Sequence, residues 1–128
     1  GSIIVVVATD APLLPHQCRR LAQRAALGVG RLGGQGENSS GDLILAFATG
    51  NAGQLPIEDR EAAVDEATAA ISSTANAAMN PLFDGVIAAT EEAALNAMLM
   101  AETVRDARGG TVHALDPDLL RAAWYAPR

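Results

Sequence analysis

From Ile3 to Ala8 the chain runs Ile-Ile-Val-Val-Val-Ala with no polar alternation. A β-branched run of this kind predicts a strand over residues 2–8, buried on both faces. Thr9 to Pro12 ends it. Leu14 and Pro15 then open a helix predicted to reach about Ala26, with Pro15 in the first turn, where its missing N–H costs little. Leu14, Cys18, Leu21, Ala22 and Ala25 recur at helical spacing and form its inward stripe. Gly28 and Gly30 are read as its close. A second apolar run, Leu43 to Phe47, predicts another strand, reached through the glycine- and serine-rich loop of residues 33–41.

The rest of the chain is more helical. Asn51 to Pro56 reads as a loop, and Glu58 to Ile71 is ambiguous, rich in alanine but without a clean stripe. Between about Thr74 and Val104 a long helical region carries Leu82, Val86, Ala89, Ala93, Ala97, Met100 and Val104 every three or four residues. Pro81 marks its start, with Asn80 as cap. Thr111 to Leu115 makes a short strand, and Asp116-Pro117 caps a last helix through about Trp124. This alternation specifies an α/β fold, and 27 alanines allow helices to approach sheets closely.

Composition removes several functions. Nine arginines and no lysine face fifteen acidic residues, for a net charge of −6, which disfavours a phosphate backbone. Arg19, Arg20 and Arg24 are the only local basic cluster and are expected on the solvent side of the first helix. The glycine-rich loop lacks the Gly-Lys-Ser/Thr ending and strand-to-helix context of a phosphate cradle. With Cys18 alone, an internal disulfide is impossible and a cysteine metal site is unsupported; a buried, inert thiol is expected. No apolar run has the length of a membrane span.

The candidate chemistry lies at the first strand. If the Gly1–Ser2 bond is cut, Ser2 carries a hydroxyl and a free α-amine on one rigid element. Such an amine, with a reference pKa of about 7.7–8.0, can take the hydroxyl proton. The dipeptide by itself is more readily read as what an expression tag leaves behind. Its surroundings decide otherwise. Ser2 to Gln17, Arg24 to Arg31, Ser39 to Phe47 and Ala89 to Ala93 together resemble, in order, the smaller chain of the self-cleaving L-aminopeptidase/D-esterase and β-peptidyl aminopeptidase family.

That resemblance implies a four-layer αββα sandwich, like that of N-terminal-nucleophile hydrolases. Residues 1–128 would be a single segment, the downstream (β) chain of a two-chain catalytic domain, completed by an upstream (α) chain from the same precursor. It further implies a tetramer of two-chain units. Cleavage would fall between Gly1 and Ser2, with Ser2 as nucleophile and Ser40 and Asp42 completing the catalytic group. Oxyanion donors would come largely from the upstream chain, and no metal or organic cofactor is implied. Any targeting segment would also lie upstream, so the compartment, cytoplasm or periplasm, stays open.

The implied function is a self-processing serine aminopeptidase that releases small N-terminal residues from peptides, amides or esters through an acyl-enzyme on Ser2. Related pantetheine hydrolases and acyltransferases share the architecture, but use a terminal threonine. A non-catalytic assembly subunit is the rival from another class. While Gly1 is attached, Ser2 has no free amine, so that bond must break before the proposed base exists. His16 is read as a capping or packing residue, His113 as too isolated for a metal, and Glu91 and Glu92 as facing different directions. Trp124 and Tyr125 are read as anchors against another chain.

Overall fold

The computed structural model describes residues 1–54 and 69–126, so the ambiguous stretch Glu58 to Ile71 falls almost wholly outside the described residues. Contacts divide the chain into two units, Gly1–Thr90 and Glu91–Arg128. The first is built on a βαβ crossover: strand β1 (Ile4–Thr9), helix α1 (Pro15–Arg31) and strand β2 (Leu43–Ala48). The strands pair in parallel from Ile4 opposite Leu43 to Thr9 opposite Ala48. A single 3₁₀ turn (Asn76–Ala78) then leads into helix α2 (Asn80–Met100), whose second half belongs to the second unit. The α/β architecture is as expected.

Burial along both strands alternates instead of covering both faces. Val5, Val7, Ile44, Ala46 and Ala48 are partly buried, and Val7, Ala46 and Ala48 pack against the core cluster of Leu13, Cys18, Leu21, Met79, Phe83 and Val86. The other row, Ile4, Val6, Ala8, Leu43, Leu45 and Phe47, is exposed. In a parallel pair, residues in register share a face, so these six form one continuous apolar surface. One chain covers only half of what its sequence offers for burial.

Helix α1 runs five residues past its predicted end, through both Gly28 and Gly30. Packing outweighs propensity there. Gly28 is buried against α2, where a Cβ would lie 2.6 Å from the Ile87 carbonyl oxygen and 2.8 Å from Thr90 Cβ. The stop comes at Gly33, whose φ of +92° belongs to the left-handed region. Gly33 N–H donates to the Gly30 carbonyl and Gly34 N–H to that of Val29, the paired bonds of a Schellman close. A Gly28→Ala change should cost about 1–3 kcal/mol by overpacking, while Gly30→Ala, with open space around its Cβ, should cost nothing. Melting temperatures of the complete protein check the contrast.

The inward face of α1 includes Gln17, which the apolar stripe did not predict. Its amide caps the helix start by accepting from Leu14 N–H at 3.0 Å and donates to the Thr74 carbonyl at 2.6 Å. A buried amide is tolerated because both ends are bonded. Cys18 is buried, as expected. Arg20 and Arg24 are not merely solvent-side residues. Their guanidinium carbons stand 5.0 and 4.2 Å from the Phe83 ring centroid, and Arg20 also bonds Asn76 Oδ1.

Phe83, Val86 and Thr90 are the buried residues of α2; Ala89, Ala93, Ala97 and Met100 are exposed. Leu82 and Val86 of the predicted stripe do pack inward, joined by Phe83, but the next buried position is Thr90 and not Ala89. Within the second unit, a small antiparallel hairpin pairs β3 (Val104–Arg105) with β4 (Thr111–Val112). Helix α3 (Pro117–Tyr125) follows as predicted, with Asp116 accepting from Asp118 N–H at 2.9 Å. Trp124 and Tyr125 are both 80% exposed. No described helix is long and apolar enough to cross a membrane.

Candidate active site

The parallel register brings together what the sequence separates by about forty positions. Leu43 N–H donates to the Ile3 carbonyl at 3.0 Å, so the residues preceding β1 lie beside those preceding β2. Ser2 and the segment Ser40–Gly41–Asp42 meet there. Gly41 N–H donates to Ser2 Oγ at 2.9 Å. Asp42 Oδ1 accepts two bonds, from Ile3 N–H at 3.2 Å and from the Ser40 hydroxyl. Ser2 and Asp42 are exposed and Ser40 half-buried.

These groups open onto a cavity of about 310 Å³ whose lining includes Gly1, Ser2, Val29, Glu37, Ser40 and Asp42. The glycines that follow α1 form part of its wall, so the helix stop at Gly33 also shapes the site. A hydroxyl has one proton to donate and two lone pairs. Ser2 Oγ spends one lone pair on Gly41 N–H, which leaves its proton for a base and the other lone pair for attack. Asp42 ties the head of β1 to Ser40, so the carboxylate positions the chain as well as the second serine.

All three site residues expected from the sequence are thus neighbours. His16 is not among them. It sits exposed in the first turn of α1, a helix of 17 residues and so roughly 25 Å long, while the cavity lies beyond the last turn. His113, Glu91 and Glu92 belong to the second unit. Among the described residues, no three His, Cys, Asp or Glu side chains gather as a metal site requires. Sequence reasoning missed the Gly41 N–H, a backbone group that only the strand register reveals.

A profile described as peptidase family S58 matches residues 1–112. The chain belongs to peptidase family S58. Among curated relatives, "Beta-peptidyl aminopeptidase BapA" of Sphingosinicella microcystinivorans is 43% identical over 122 residues, 95% of this chain and 29% of that protein. The chain therefore spans less than a third of the curated relatives it matches. In structure it is similar to a Burkholderia sp. β-aminopeptidase, with a TM-score of 0.80 and 43% identity over 95% of this chain and 35% of the other. It is likewise similar to the L-aminopeptidase D-Ala-esterase/amidase of Ochrobactrum anthropi, at a TM-score of 0.78 and 37% identity over 92% of this chain and 32% of that one. The latter is described as a prototype for the serine aminopeptidases and a new variant among the Ntn hydrolase fold. The family and the N-terminal-nucleophile likeness inferred from the sequence are both borne out.

Proposed function

We propose that this S58 chain is the downstream part of a self-processing serine aminopeptidase, with Ser2 as its nucleophile. The meeting of Ser2, Ser40 and Asp42 around one cavity carries the reading. In the processing step Ser2 Oγ attacks the Gly1 carbonyl; the C–N bond breaks, the nitrogen gains a proton, and water releases the ester. Ser2 then holds a free α-amine. In turnover that amine takes the Ser2 hydroxyl proton as Oγ attacks the substrate carbonyl, and returns it to the leaving amine. Water resolves the acyl-enzyme. Ser40 relays and Asp42 orients, holding the ammonium form through its charge.

The upstream piece supplies the remainder of the pocket and covers the exposed apolar row of β1 and β2, completing the αββα layers. Ile4 is 74% exposed and Leu45 61%, on a face that water solvates poorly. Four such two-chain units form the assembly, and Trp124 and Tyr125 serve as contacts with another chain.

Hydrolysis of alanine p-nitroanilide by the complete two-chain protein, beside its N-acetylated counterpart, tests the activity. Release from the free amine only supports the aminopeptidase. Equal release from both makes it a general amidase, and release from neither, with Ser2 free, moves the reading to pantetheine hydrolysis or acyl transfer. An Asp42→Asn variant should keep its fold and lose about 10- to 100-fold in kcat, the worth of charge-assisted bonds in this network. Steady-state rates against an unchanged melting temperature check it.

A further inference from the structure

We propose that the backbone N–H of Gly41 acts as a catalytic donor to Ser2 Oγ, stabilising that oxygen when it leaves the acyl group. The inference rests on Ser2 being the nucleophile. A parallel ladder repeats its bonds every two residues, so the position before Leu43 N–H to the Ile3 carbonyl would be Gly41 N–H to the Gly1 carbonyl. At that position Gly41 N–H instead donates to Ser2 Oγ at 2.9 Å. The strand edge thus offers the nucleophile a fixed backbone donor where the regular sheet would bind the scissile carbonyl.

The consequence falls on deacylation. Water attacks the acyl carbon and gives a proton to the Ser2 amine. The tetrahedral adduct then collapses, the C–Oγ bond breaks, and its electron pair stays on Oγ, which recovers the proton from the ammonium. Negative charge develops on Oγ within hydrogen-bond reach of a donor that is already oriented and needs no rearrangement. The side chain at this position is not the important feature. A Cβ on Gly41 would meet Ser2 Oγ at 3.5 Å, ordinary contact, so what the site uses there is the N–H.

The test replaces residue 41 by glycolic acid, exchanging the N–H for an ester oxygen, in the complete two-chain enzyme, with wild type assembled by the same chemistry as control. Each protein is mixed with alanine p-nitrophenyl ester, acid-quenched, and the chain bearing Ser2 is weighed intact. Deacylation should slow about 10- to 100-fold in the ester variant relative to that control, so that alanyl-Ser2 accumulates. Unchanged deacylation overturns the proposal, as does slowed acylation without accumulation, the mark of a structural defect. If no alanyl chain forms even in wild type, the nucleophile assignment itself falls and takes the proposal with it. Should the ester chain not assemble, the Gly41 resonance of ¹⁵N-glycine-labelled protein decides. It should lie downfield in wild type and move upfield in Ser2→Ala; the same position in both overturns the donor role.

Discussion

A Ser2→Ala precursor should remain a single uncleaved chain and lose about 10⁴-fold or more in hydrolysis, the scale seen when a covalent nucleophile is removed. Both effects follow from one oxygen. Ser2 Oγ is next to the Gly1 carbonyl in sequence, and it opens onto the same cavity as Ser40 and Asp42. Without it, the bond that hides the amine is not cut and no acyl-enzyme forms. The substitution removes no buried group, because Ser2 is exposed and its partner, the Gly41 N–H, is exposed too. Melting should therefore change little. Gel mobility, intact mass and rate on alanine p-nitroanilide together check the prediction. Normal processing and normal hydrolysis in this variant would remove Ser2 from both roles.

The second large effect is expected on the opposite side of the molecule's chemistry, at the bare sheet face. Val6→Asp should leave the βαβ unit of this chain intact, since Val6 points away from α1 and is 60% exposed. It should nevertheless abolish the assembled enzyme. Covering Ile4, Val6, Leu43, Leu45 and Phe47 is worth on the order of 5–10 kcal/mol. A carboxylate in the middle of that face must be desolvated against apolar neighbours, at a further cost of several kcal/mol. Size-exclusion chromatography of the co-expressed chains reads the outcome: more than tenfold less two-chain complex. A full yield of active Val6→Asp complex would mean that the face stays in water.

How the chain was legible differs from element to element. β1, β2 and α3 follow directly from local signals: two apolar runs, and a helix whose Asp116 cap and Pro117 leave little choice. The end of α1 was misread because Gly28 looks like a helix stop, while its real use is to let the Ile87 carbonyl and Thr90 come close. Leu82 and Val86 place the face of α2 at its start, but the alanines after them give no direction, and Thr90 is the buried residue there. The unbroken apolar run of β1 predicts burial on both faces, whereas within this chain only one face is covered.

The site was legible in a different way. Spacing alone makes Ser40 and Asp42 ordinary turn residues. Only the resemblance of the ordered blocks connected them to Ser2. The parallel register of Ile4 with Leu43 then gives that connection its physical basis, by placing both strand entrances side by side. The Gly41 donor stayed hidden because every residue but proline has the same N–H, and only pairing shows where it points.

Intact mass and N-terminal sequencing of the full precursor show whether self-cleavage frees Ser2 to act as nucleophile and base. The precursor is made by cell-free translation and assayed in the same sample. Two chains are expected, the smaller starting at Ser2, with hydrolysis of alanine p-nitroanilide rising in step with cleavage. Full activity in material where Gly1 is still joined to Ser2 would contradict it.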